Sequence, residues 1–170
     1  MASLAAVVKP EKIIVEPVMA VQIDRETGTD PSEISHAMGG AFELIDEVIE
    51  DNHLVVTGPP RAIYTAYGPN GTKFTVAMPI AAEPGVGVSS GPARVGELPG
   101  GTAMRFAHRG PYRKLMKTYE GITEWMKEKG LLKSESDWAK YMPMWEEYVE
   151  DPEHTAEDEL LTFIYVPMGE

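Results

Sequence analysis

Apolar and polar positions along the chain follow one order twice: strand, helix, strand, strand. In the first half, Lys12 to Asp24 is rich in β-formers, and Pro31-Ser32-Glu33 opens a run with apolar residues at Ile34, Met38, Ala41, Phe42, Ile45, Val48 and Ile49. Those offsets draw one stripe on a helix. Asp30 or Ser32 is placed to cap its start and Asn52 to stop it. Gly39-Gly40 falls mid-helix, where each glycine costs about 1 kcal/mol relative to alanine; close packing against a sheet would account for the pair. Two strands follow, Arg61 to Tyr67 and Lys73 to Ile80, and the Asn-Gly pair within Gly68-Pro69-Asn70-Gly71 predicts a hairpin between them.

Residues 81 to 90, rich in Gly, Ala and Pro, read as a linker. The second half then begins with a strand pair or one long strand from Ala93 to Arg109, bent at Pro99-Gly100-Gly101. Gly110-Pro111 starts a helix whose stripe is Tyr112, Leu115, Met116, Tyr119, Ile122 and Met126, ending at Gly130. Strands from Met144 to Glu150 and Leu160 to Val166 complete the copy, joined by the polar loop Asp151-Pro152-Glu153-His154-Thr155.

Laid side by side, Pro60-Arg61-Ala62-Ile63-Tyr64 falls beside Pro143-Met144-Trp145-Glu146, and Phe74 to Pro79 beside Thr162 to Pro167, each within one residue. The expected architecture is α+β: one domain over 10–170, with pseudo-repeats at about 10–82 and 93–168 and a linker at about 83–92. Duplicated strand-helix-strand-strand units would form an antiparallel sheet with packed helices and a pseudo-twofold axis. A pocket is expected at the crease where the halves meet.

Composition narrows the function. At 170 residues the chain is long enough to bury roughly two thirds of its unfolded surface without staples. With no cysteine there are neither disulfides nor thiolate metal sites, which agrees with a reducing, cytoplasmic compartment. The opening Met1 to Lys9 lacks a basic start and reads as a loose tail, and no apolar run approaches the roughly 20 residues of a membrane helix. Acidic residues outnumber basic ones 27 to 15, a formal charge of -12, so direct nucleic-acid binding is not expected. The four histidines His36, His53, His108 and His154 lack metal-ligand spacing, and Gly85 to Gly91 lacks the lysine of a phosphate loop. The expectation is no metal and no cofactor.

The informative chemistry is in Met144-Trp145-Glu146-Glu147-Tyr148, which sets carboxylates inside an aromatic strand, a costly arrangement unless something pairs with the charge. Strand alternation puts Met144, Glu146 and Tyr148 on one face and Trp145, Glu147 and Val149 on the other. By residue type alone Glu146 reads as a solvated carboxylate and the strand aromatics as core.

Together with His108-Arg109-Gly110-Pro111-Tyr112, the helix ending in Trp125 and Gly130-Leu131, the block Trp145-Glu146-Glu147-Tyr148 with Asp151-Pro152, and the terminal Leu161 to Pro167, the chain resembles the GyrI-like proteins. These are also called AraC-type effector-binding domains and include the drug-binding half of BmrR-type multidrug regulators. The resemblance covers Lys12 to Pro167. It implies a small-molecule cleft with an acidic residue and aromatics. Glu146 fits the family spacing, with Tyr two residues on and Asp-Pro five on, whereas Glu147 does not. No helix-turn-helix region precedes the first strand, so a standalone binding protein without a DNA-binding domain is expected. The position matching Glu146 in the first half is close to Tyr64, which makes the site asymmetric.

On this resemblance the ligand-binding set is Glu146, Tyr148, Met144, Tyr64, Tyr112, Trp145, Phe163 and Tyr165. The leading reading is multidrug binding, in a cleft between the repeats, of lipophilic, cationic or planar aromatic compounds, with Glu146 as counter-charge. The alternative is a hydrolase of cyclopropane-bearing genotoxic compounds, in which Glu146 is the general base and Tyr64 or Tyr148 its helper. A third reading is a gyrase-binding modulator.

Overall fold

The structure, a computed structural model, describes residues 10–68, 71–81, 89–150 and 154–168. In chain order its strands are β1 (Glu11–Val15), β2 (Val18–Thr27), β3 (Val55–Val56), β4 (Arg61–Gly68), β5 (Gly71–Ala81), β6 (Ser89–Ser90), β7 (Ala93–Leu98), β8 (Gly101–Arg109), β9 (Met144–Tyr148) and β10 (Leu161–Pro167). The helices are α1 (Pro31–Asp51) and α2 (Leu115–Glu128), with short 3-10 turns at Tyr112–Lys114, Glu135–Tyr141 and Glu157–Glu159. The class is α+β, with antiparallel pairing between the strands and helices packed on them. The chain divides into two compact units, Val15–Gly101 and Thr102–Glu170 with the N-terminal residues to Ile14.

In the unit Val15–Gly101 the strand order is β4-β5-β2-β7-β6, with β3 pairing off β5. The apolar stripe of α1 covers this sheet: Ala41, Ile45 and Val48 are buried against Val21, Ile23, Phe74, Val76 and Ile80. Ile34, Met38, Phe42 and Ile49 flank them, as their spacing requires. Asp30 is the cap, accepting from the Ser32 amide at 3.0 Å, and Asn52 ends the helix. The hairpin is present, since β4 and β5 pair down to Gly68 opposite Gly71; Pro69 and Asn70 lie outside the described residues. Gly71 has φ +116, and a Cβ there would meet the Thr27 carbonyl at 2.8 Å, so glycine is required.

Gly39 and Gly40 are a correction. Both are exposed, and an added Cβ would meet nothing within 4 Å, so close packing on the sheet is not their reason. Gly39→Ala and Gly40→Ala are each expected to raise stability by about 1 kcal/mol through helix propensity and a less flexible unfolded chain. A thermal melt should rise by about 2–4 °C per substitution.

The region from Ala93 to Arg109 is two strands with different partners: β7 pairs with β2, whereas β8 pairs with β10. Of the expected linker at about 83–92, residues 83–88 lie outside the described residues. The periodicity gives no counterpart for the break at Glu16-Pro17 between β1 and β2, for the two-residue β3 and β6, or for the 3-10 turns at Glu135–Tyr141 and Glu157–Glu159.

In the other unit the order is β1-β8-β10-β9. Its core is Phe106, Ile122, Met126, Leu132, Met144, Ile164 and Val166. Helix α2 contributes Ile122 and Met126, with Leu115, Tyr119 and Trp125 packed at the margin. Met116 and Tyr112, expected on the stripe, are instead 62% and 37% exposed: Tyr112 lies in the 3-10 turn ahead of α2, and Met116 sits about 120° round the helix from the buried Ile122. The helix closes at Gly130, φ +73, where the Leu131 and Gly130 amides reach back to Met126 and Lys127 in a Schellman arrangement. Of the expected loop after β9, residues 151–153 lie outside the described residues. No helix among the described residues is long and apolar enough to cross a membrane.

Candidate functional site

Register places the site before any side chain is considered. Ile164 on β10 lies opposite Glu146 on β9 and Phe106 on β8, and Thr162 lies opposite Tyr148 and His108. Two cross-strand rows, Phe106-Ile164-Glu146 and His108-Thr162-Tyr148, therefore share one face of the sheet. This is the face that α2 covers, since Phe106 and Ile164 pack against Ile122 and Met126.

Glu146 is 5% exposed in the middle of that face. Tyr119 of α2 donates its hydroxyl to Oε2 at 2.5 Å, and Tyr148 donates to Oε1 at 2.6 Å. Among the described residues no lysine or arginine is within ion-pair distance of it. Burial pushes its pKa above the ordinary glutamate value; the two tyrosine hydrogen bonds and the nearby His108 pull the other way without cancelling it. Among the described residues the carboxylate is thus satisfied by hydrogen bonds and has no lysine or arginine as counter-ion.

His108, also 5% exposed, supports the same face. Its Nε2 is 3.0 Å from the Pro111 carbonyl and must donate to it, while Nδ1 lies 2.6 Å from the Thr118 hydroxyl. The motif His108-Arg109-Gly110-Pro111 thereby ties the end of β8 to the first turn of α2. Between His108 and Tyr148, Thr162 is fully buried, and its hydroxyl has no hydrogen-bond partner among the described residues.

Tyr119 also faces outward. With Met116, Glu120, Thr123, Glu124 and Lys127 it lines a groove of 310 Å³ along α2. Tyr112 packs edge-on to Tyr148, 5.5 Å between ring centres at 65°. One tyrosine on the carboxylate therefore belongs to an open groove, and the other touches an exposed ring.

The remaining residues singled out from the sequence are elsewhere. Trp145, Phe163 and Tyr165 occupy the opposite face, where Trp145 and Tyr165 stack at 4.8 Å and 9° and Arg105 lies over Phe163 at 4.2 Å. Glu147 is on that face too, accepting from the Tyr165 hydroxyl at 3.1 Å. Burial and the adjacent Glu147 raise the Tyr165 pKa. Met144 is buried in the core on the Glu146 face. Tyr64 belongs to the unit Val15–Gly101, with its ring 5.9 Å from Phe74.

In the sequence Tyr119 is only a member of the helix stripe and His108 only part of a motif. The signal was available for Tyr119: a tyrosine on a buried stripe needs a partner for its hydroxyl, and a strand carboxylate needs donors.

A buried carboxylate held by two tyrosine hydroxyls, under a helix packed on an antiparallel sheet, is the candidate site of this α+β fold. The chain belongs to the GyrI-like small molecule binding domain family, whose model matches residues 9–168. No curated protein matches the sequence. Among solved structures it is similar to the EcmrR C-terminal domain, with 16% identity, TM-score 0.73 and coverage of 94% of this chain and 96% of that one. In the EcmrR–DNA complex it matches with TM-score 0.75 and spans 57% of the EcmrR chain. SAV2435 bound to tetraphenylphosphonium matches at 14% identity, TM-score 0.59, covering 94% of this chain and 93% of that one. A hydrolase from Listeria innocua matches at 14% identity, TM-score 0.58, covering 94% and 91%. At these identities the likeness is one of fold.

Proposed function

We propose that this protein binds lipophilic, cationic or planar aromatic compounds, with Glu146 as their counter-charge. The observation that carries the reading is a carboxylate that is buried, held by two tyrosine hydroxyls and, among the described residues, lacks a lysine or arginine partner. Such a group is costly to desolvate, and an incoming cation compensates that cost. The ligand reaches it by displacing Tyr119 or Tyr148, both mobile about two side-chain torsions, and the freed rings then supply faces for the cation, each contributing about 0.5–2 kcal/mol. The buried hydroxyl of Thr162 in the adjacent row, which has no partner among the described residues, is a further polar contact for the same ligand. SAV2435, which shares the fold, is bound to tetraphenylphosphonium, a compound of this chemical class.

A second reading has its own observation. A carboxylate held above its ordinary pKa beside phenolic donors is also equipped as a general base for water attacking a strained ring, such as a cyclopropane-bearing electrophile, with Tyr148 as helper. The fold neighbour described as a hydrolase agrees with it.

Titration with tetraphenylphosphonium, followed by an assay of the same samples for ring opening, separates the two. Saturable binding without turnover supports the binding protein. Turnover that Glu146→Gln abolishes would replace that reading with the enzyme. Tyr119→Phe removes one donor, and its carboxylate should titrate at still higher pH than in the parent, measurable as an upward shift in the pH at which cation affinity is half lost.

A further inference from the structure

A second recess lies in the unit containing α2, on a different side of that helix from the groove of Tyr119. Its volume is 440 Å³, the size of a small organic molecule. Met104, Leu131 and Met168 form its apolar wall, half-buried against the Phe106 and Ile122 core. Trp125 stands beside them, held edge-on by Phe106 with ring centres 5.4 Å apart at 76°.

Among the described residues each polar side chain lining it, Lys12, Thr102, Trp125 and Lys129, can donate a hydrogen bond. Lys12 and Lys129 are both exposed, and neither has a carboxylate partner among the described residues. The Lys129 Nζ lies 6.0 Å from the centre of the Trp125 ring. The Thr102 hydroxyl and the Trp125 indole N–H also make no hydrogen bond among the described residues. Among the described residues no carboxylate lines the recess, in a chain whose formal charge is -12. The groove of Tyr119, by contrast, carries Glu120 and Glu124.

We propose that this recess binds a small amphipathic anion, an aromatic ring or short alkyl chain bearing a carboxylate or sulfonate. The apolar part lies on Met104, Leu131 and Met168 against Trp125. The anionic group sits between the ammonium groups of Lys12 and Lys129, with Thr102 and the indole N–H as further donors. Methionine's adaptable side chain suits a wall that accepts more than one such shape. The site is independent of Glu146 and opposite to it in charge preference, so the domain would hold ligands of both signs at separate places.

The test is calorimetric titration of the full chain at low salt with 1-naphthoate, its neutral analogue 1-naphthamide and 1-naphthylmethylammonium. Saturable one-site binding of naphthoate is expected, weaker for the amide and weakened by added salt. Exposed ion pairs are individually weak, so removing both lysines together, Lys12→Ala with Lys129→Ala, is expected to reduce naphthoate affinity roughly tenfold. Glu146→Gln should leave it unchanged. A thermal melt checks that the double variant folds, and Lys12→Gln with Lys129→Gln serves as the second variant. Absence of naphthoate binding, equal affinity in the lysine variants, or loss of naphthoate binding in Glu146→Gln would each overturn the proposal. Failure here leaves the Glu146 reading standing, because that reading is scored with the cation.

Discussion

Glu146→Gln is expected to weaken binding of a lipophilic cation by about 30-fold, roughly 2 kcal/mol, while raising the stability of the ligand-free protein at neutral pH. The two effects have one origin. Glutamine is nearly isosteric and can still bond one tyrosine hydroxyl while the other tyrosine reverses its role, but it brings no charge into the buried face. The ligand loses its counter-ion, and the free protein loses a desolvation penalty.

The pH dependence follows from the direction of the shift. The folded-state pKa of Glu146 lies above its unfolded value, so between the two the folded protein binds more protons than the unfolded chain. The contribution of this group to stability is fully present below the unfolded pKa and is lost as pH rises through the folded one. Cation affinity runs the other way, strengthening over the same interval as the carboxylate ionises. Denaturant unfolding and cation titration, each across that pH range, should give opposite slopes in the parent protein. In Glu146→Gln the component due to this residue disappears from both. Parallel slopes, or a cation affinity unmoved by the substitution, would remove Glu146 from the binding role.

Ile122→Ala is the substitution expected to cost most stability, about 2–5 kcal/mol, because it leaves a cavity in a fully buried position where α2 meets Phe106 and Ile164. Its functional consequence is distinct from its thermal one. Tyr119 is one turn earlier on the helix and reaches Glu146 only while α2 is seated on the sheet. The variant should therefore show a lower unfolding midpoint and, where it remains folded, a weakened Tyr119 contact with Glu146. Chemical denaturation gives the first, and the tyrosine ultraviolet difference spectrum on cation binding gives the second. A loss below about 1 kcal/mol would mean that α2 packs more loosely than its buried side chains indicate.

Much of this architecture was legible because strands and helices must each bury one face. The stripe from Ile34 to Ile49 predicted α1 almost to the residue, and Asp30 and Asn52 marked its ends, since capping is a local matter of donors and acceptors. Alternation in Met144 to Tyr148 correctly separated Glu146 from Glu147. Periodicity fails where no face has to be buried. The exposed Gly39-Gly40 pair has no packing role, Tyr112 falls in the 3-10 turn ahead of α2, and Met116 sits on the exposed edge of the stripe.

The sequence by itself determined the α+β class, the ends of α1 and the separation of Glu146 from Glu147 onto opposite strand faces, because each depends on near neighbours and on a fixed period. Only the tertiary structure decided what meets that glutamate. Tyr119 comes from a helix 27 residues earlier in the chain, and His108 from a strand two places across the sheet. It also decided that Ala93 to Arg109 divides its pairing between β2 and β10, and that Lys12 and Lys129 line the same recess. The reason is physical. An apolar pattern specifies that a face must be covered, but any face of similar length and hydrophobicity can cover it. The choice of partner, and with it the donors around a buried charge, emerges only from packing the whole unit.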